Sequence, residues 1–112
     1  MEKAAKTAHT YGGEITEAQI EGWKQKHGKV ARVDVVDGED THIGYFHRPS
    51  FETIKAVTKV AKSDEVEAGK IMFDNCWLGG SDQLRKDPVL FMAVQQRLAE
   101  MLNVSMSSIK NL

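Results

Sequence analysis

Apolar and polar positions alternate with period two between Lys29 and His47, and recur at helical spacing on either side of that stretch. In the first alternating run Ala31, Val33 and Val35 face one way, and Arg32 and Asp34 face the other. Asp37-Gly38-Glu39-Asp40 is a polar turn. In the second run, from about Thr41 to His47, Ile43 and Tyr45 share one face while His42, Gly44 and Phe46 take the other. The pattern predicts a two-stranded antiparallel β-hairpin. Two strands alone are marginal in water, so this hairpin needs helices, or a second copy of the chain, to pack against.

Helix signals flank the hairpin. Thr16 and Gln19 have capping-box spacing, with Ile15 and Ile20 placed as a hydrophobic staple. They open a helix over about 17–27, and Gly28 is its stop. Its large apolar residues are Ile20 and Trp23 alone, which puts the helix at the edge of the domain. Arg48-Pro49 closes the hairpin and Ser50 caps a second helix carrying Phe51, Ile54, Val57, Val60 and Ala61. Asp64 caps a third, whose second half (Ile71, Met72, Phe73, Cys76, Trp77, Leu78) is nearly all apolar. That composition predicts the most buried helix, ended by Gly79-Gly80. A charged surface loop is expected over 81–86. Asp87-Pro88 starts a fourth helix reaching about Leu102, and a short terminal turn follows Val104-Ser105.

The expected fold class is α+β: an N-terminal helix, a two-stranded antiparallel hairpin, then three to four packed helices. Residues 1–13 lack a hydrophobic pattern and are expected as a flexible tail, and 14–112 as a single domain. Ala8-His9-Thr10-Tyr11 is the part of the tail that docking would order.

Composition narrows the function. Apolar residues make up 41% and charged residues 28% of the 112, an ordinary balance for a folded domain. The formal net charge is −1 with lysines and acids intermixed, which argues against nucleic acid or an anionic membrane as partner. There is no apolar run of the roughly 20 residues that a bilayer requires. The N-terminal stretch does not read as a secretory signal, and the single cysteine fits a reducing compartment, so the expected location is cytoplasmic.

Candidate chemistry has a plainer reading at each position. His42 and His47 point to opposite faces of one strand, and Cys76 has no paired cysteine, so no metal and no cofactor are expected. Cys76 lies within an apolar segment and reads as core. Asp74, Asp82 and Asp87 gather near Gly79-Gly80, but Asp87 is already a helix cap. Gly79-Gly80-Ser81 lacks the lysine of a phosphate-cradling loop. Catalysis is not expected. Trp23, on a thin lysine-flanked helix, is a candidate interface anchor, and Met92 and Met106 are candidate partner contacts.

Three stretches carry a family resemblance: Ile15 through Trp23 into His27-Gly28-Lys29-Val30; Tyr45-Phe46-His47-Arg48-Pro49; and Asp74-Asn75-Cys76-Trp77-Leu78-Gly79-Gly80, followed by Asp87 and Leu90-Phe91. In this order they resemble small proteins of phages and prophages, especially of Bacteroidetes-type hosts, similar to tail assembly chaperones of long-tailed phages. The resemblance spans about 15–104. Pro49, Trp77, Gly79 and Gly80 are its signature positions and read as structural. It implies a non-catalytic protein of the host cytoplasm that binds the tape-measure or tail-tube protein. The alternatives are a connector or ring-forming homo-oligomer of the particle, and a small nucleic-acid-binding regulator.

Overall fold

A computed structural model describes residues 8–101 and 110–111 of the chain. Its elements run β1 (His9–Tyr11), α1 (Glu17–His27), β2 (Val30–Asp37), β3 (Asp40–His47), α2 (Phe51–Ala61), α3 (Glu65–Cys76), β4 (Trp77–Gly80), α4 (Gln83–Lys86) and α5 (Pro88–Met101). The expected terminal turn falls outside the described residues. The mixed α+β class is as expected, and the sheet has two more strands than the alternation predicts.

β3 organises the sheet. β2 pairs antiparallel along its whole length, from Val30 opposite His47 to Asp37 opposite Asp40. On the other side, β1 runs parallel to its first half, with His9 opposite Asp40 and Tyr11 opposite His42. β4 runs antiparallel to its second half, with Gly44 opposite Gly80 and Phe46 opposite Trp77.

Three expectations need correction here. His9–Tyr11 belongs to the sheet and not to a flexible tail over 1–13. Its side chains are all exposed, so the strand is held through backbone pairing and leaves no hydrophobic alternation to read. The third helix ends at Cys76, before Gly79-Gly80, and Trp77 takes extended backbone angles (φ −64°, ψ 132°). A short apolar run suits a buried strand as well as a helix, and the free side of β3 offers it backbone partners. The expected loop over 81–86 contains the short helix α4.

The helix starts follow their caps. Thr16 and Gln19 form the reciprocal capping box. Ser50 accepts from the Thr53 N–H (3.2 Å), and Asp64 from the Glu67 N–H (3.0 Å). Asp87 accepts from the Val89 and Leu90 N–H groups (2.9 and 3.2 Å), with Pro88 as the first helical residue.

Residues paired across strands share a face. Val33, Val35 and Phe46 therefore face α3, α4 and α5, where they join Met72, Phe73, Cys76, Leu84, Leu90, Phe91, Val94 and Leu98 in one core. Phe46 is fully buried, edge-on to Phe73 (5.2 Å) and to Trp77 (5.4 Å), and Trp77 stacks on Phe73 (5.1 Å). On the opposite face Ile43 and Tyr45 are buried, and Trp23 of α1 lies 5.6 Å from Tyr45. α2 packs against α3, and its one buried residue is Thr53.

Phe73→Ala removes the ring at the centre of this cluster and is expected to cost about 3–5 kcal/mol in urea unfolding. Phe51→Ala, at a site 90% exposed, is expected to leave the unfolding midpoint essentially unchanged.

Candidate partner-binding surface

The reactive side chains are occupied one by one. Cys76 is fully buried, its Sγ 3.7 Å from Met72 Sδ, and burial pushes its thiol up to about 11. Such a thiol stays protonated and behaves as a small apolar group. Asp74 is held by both arms of the Arg85 guanidinium, Nε to Oδ1 at 2.8 Å and Nη2 to Oδ2 at 3.1 Å. Arg85 in turn lies over the rings of Phe73 and Phe91, fastening α4 to α3 and α5. Asp87 is spent on the α5 cap. Among the described residues no group of three or more His, Cys, Asp or Glu side chains could hold a metal ion.

One buried polar contact escaped sequence reasoning. His42 and Ser81 are both buried, with Nδ1 and Oγ 2.7 Å apart, and Tyr11 stacks on the imidazole at 4.8 Å. The contact sits where β1 leaves β3 and β4 ends beside it, and Ser81 N–H donates to the Ile43 carbonyl (2.8 Å). It ties three strands together. The signal was His42 sharing a strand face with Phe46; its serine partner, 39 residues away, left none.

The predicted site residues scatter. Trp23 is half-buried against Tyr45 and over Gly79, where an added Cβ would lie 3.2 Å from the indole. Covering the sheet is its structural work. Gly80 holds φ +133°, and a side chain there would run into the Ile43 carbonyl. Trp77 packs against the core from β4, and Pro49 precedes the α2 cap. Met92 lies on α5, on the other side of the sheet from Trp23, so the two do not form one surface. Met106 lies outside the described residues.

The exposed apolar residues are more coherent. Val66 of α3 and Met92 of α5 are 51% and 53% exposed, and with Phe91, Ala93 and Gln96 they line a groove of about 690 Å³ between the two helices. Gln95 is in its wall, with a buried Nε2 that has no hydrogen-bond partner. Glu65 stands at the rim, and Lys70, Arg85 and Lys86 border the adjoining hollow, which Val66, Phe91 and Met92 share. Val89 is also exposed on α5, and Phe51 and Ile54 form a second apolar patch on α2. No helix among the described residues is long and apolar enough to cross a membrane.

No family model matches the chain, and neither does any curated protein. Among solved structures it is similar to the uncharacterised protein rbstp2171 from Bacillus stearothermophilus, with a TM-score of 0.59 and 23% identity. The match covers 82% of this chain and 99% of that one. It shows a shared fold.

Two measurements follow from the buried groups. The folded Cys76 thiol keeps its proton until about 11, against 9.0 ordinarily, so stability is full below pH 9 and falls as pH rises through 11. The loss should approach roughly 2–3 kcal/mol in denaturant titrations, and Cys76→Ser should flatten that slope. Ser81→Ala strands a buried imidazole nitrogen and is expected to cost about 1–3 kcal/mol in thermal or urea unfolding.

Proposed function

We propose that the chain is a non-catalytic protein that binds an amphipathic helix of another protein in the groove between α3 and α5, as a tail assembly chaperone of a phage or prophage binds its tape-measure protein. The observation that carries the binding role is the apolar groove itself. Val66 and Met92 are left half-exposed at a seam between two helices that each bury one stripe in the core. Soluble domains rarely leave adjoining large apolar side chains uncovered without a partner to cover them.

The groove suits a helix. It is a trough between two helices, apolar along its floor and polar at its rim, the form that receives an amphipathic helix by its apolar stripe. Methionine at its centre adapts to partners of different shape. Basic side chains beside Val66 and Met92, with Glu65 elsewhere on the rim, favour a segment whose acidic residues lie next to its apolar stripe. The tape-measure partner comes from the resemblance of the sequence stretches around Trp23, Pro49 and Trp77, and a long helical protein is a partner of this form.

The test is titration calorimetry with helical segments of phage tape-measure proteins. Val66→Asp and Met92→Asp should each weaken binding by about tenfold or more, since each places a charge in an apolar contact. Both positions are half-exposed, so the unfolding midpoint should barely move. No binding by the unaltered chain overturns the chaperone role; binding that ignores both substitutions removes the groove.

A further inference from the structure

We infer that the chain forms a two-fold dimer by pairing the open edge of β2 with β2 of a second copy, centred on Val33. The inference is independent of the helix proposed for the α3–α5 groove.

The backbone of β2 is directed outward at alternate residues. His9 N–H donates to the Glu39 carbonyl (3.3 Å), and Ser81 N–H donates to the Ile43 carbonyl (2.8 Å). Odd-numbered residues of β3 thus turn their backbone groups towards β1 and β4. Alternation along a strand then turns Asp40, His42, Gly44 and Phe46 towards β2, where they meet Asp37, Val35, Val33 and Ala31. Val30, Arg32, Asp34 and Val36 are left to direct their N–H and C=O groups away from the sheet. Among the described residues no strand pairs with that edge. It is eight residues long, holds no proline, and carries Val36 at 69% exposure. Edges of this kind are usually blunted by a bulge, a proline or a covering element, because they template pairing.

What selects a second copy is the order of residues along the edge. Lys29-Val30-Ala31-Arg32-Val33-Asp34-Val35-Val36-Asp37 is self-complementary about Val33. Run antiparallel to itself, the strand sets Arg32 opposite the second copy's Asp34, Val30 opposite its Val36, Ala31 opposite its Val35, and Lys29 opposite its Asp37. Every pair is apolar with apolar or basic with acidic, and each occurs twice, as a two-fold interface requires. Arg32–Asp34 and Val30–Val36 are also the pairs whose backbone groups point outward, so they become the hydrogen-bonded pairs of the new ladder. Registers centred one residue to either side set Arg32 against Arg32 or Asp34 against Asp34, with like charges directly opposed. In the single chain Arg32 and Asp34 already join each other along the strand (Nε to Oδ1 2.8 Å), with both side chains about half exposed. They have only to exchange partners. The two sheets would become one, extending the core face of Ala31, Val33 and Val35 across the axis.

The experiment uses the full chain, light scattering, and a charge swap. The unaltered chain at high micromolar concentration should show twice its single-chain mass. Arg32→Asp alone and Asp34→Arg alone should each show the single-chain mass, with circular dichroism and melting close to the parent, since an exposed ion pair contributes little to folding. Mixing these two variants in equal amounts should restore the double mass, because each basic position then faces an acidic one. A single-chain mass for the unaltered protein overturns the inference. So does a double mass that both variants keep, which would place the contact on another face such as α2. Failure of the mixed variants to pair overturns the register centred on Val33.

Discussion

The packing of Phe46 against Phe73 and Trp77 is the contact on which the rest of the structure depends. Phe46 projects from the central strand β3, Phe73 from the buried face of α3, and Trp77 from the first residue of β4. The three rings therefore fix the distance and angle between sheet and helices, and they also hold the point where α3 turns into β4. Aromatic side chains bury large areas and favour edge-on or offset geometries, so a few of them can specify an interface as well as stabilise it. Once they are placed, β4 must run beside β3, and α4 and α5 must return over Val33 and Val35.

A sheet closed on one face and partly covered on the other has consequences for function. α1 covers part of one face by laying Trp23 against Tyr45, and α3 to α5 close the other. Most candidate reactive groups are tied up: Asp74 with Arg85 at the surface, buried His42 with Ser81, and Asp87 with its helix N-terminus, while Gln95 keeps a buried Nε2 without a partner in the groove wall. Among the described residues, uncovered apolar and backbone groups gather at the margins: the α3–α5 groove, the α2 patch and the β2 edge. The two contacts proposed above, at the groove and at the edge, can be occupied at once because groove and edge are formed by different elements. A dimer through β2 would present two grooves to a long helical partner, raising its effective affinity by local concentration.

Much of the candidate surface was legible and much was not. Met92 could be named from the sequence, since methionine on an amphipathic helix is a regular feature of adaptable interfaces. Val66 could not, because one valine near a helix start carries no sign of what will face it. Trp23 shows the opposite case. Its lysine-rich surroundings suggest an exposed anchor, yet Gly79 lies beneath it, and the missing side chain there leaves room for the indole on the sheet. Nothing near Trp23 in the chain announces a glycine 56 residues further on.

By itself the sequence determined whatever depends on neighbours within a few residues. The Thr16–Gln19 box, the Ser50, Asp64 and Asp87 caps, the Gly28 stop and the alternation across β2 and β3 all stand where local chemistry puts them. Tertiary structure decided the fate of segments whose local preferences were balanced. Trp77–Gly80 became a strand and His9–Tyr11 joined the sheet because β3 had unpaired backbone groups on its far side. Those groups gain by pairing wherever the chain can reach them, and that gain belongs to the assembled sheet and to no local stretch of sequence. The exposure of Val66, Met92 and Phe51 was settled in the same way, by which helix faces the sheet and its neighbours had already used.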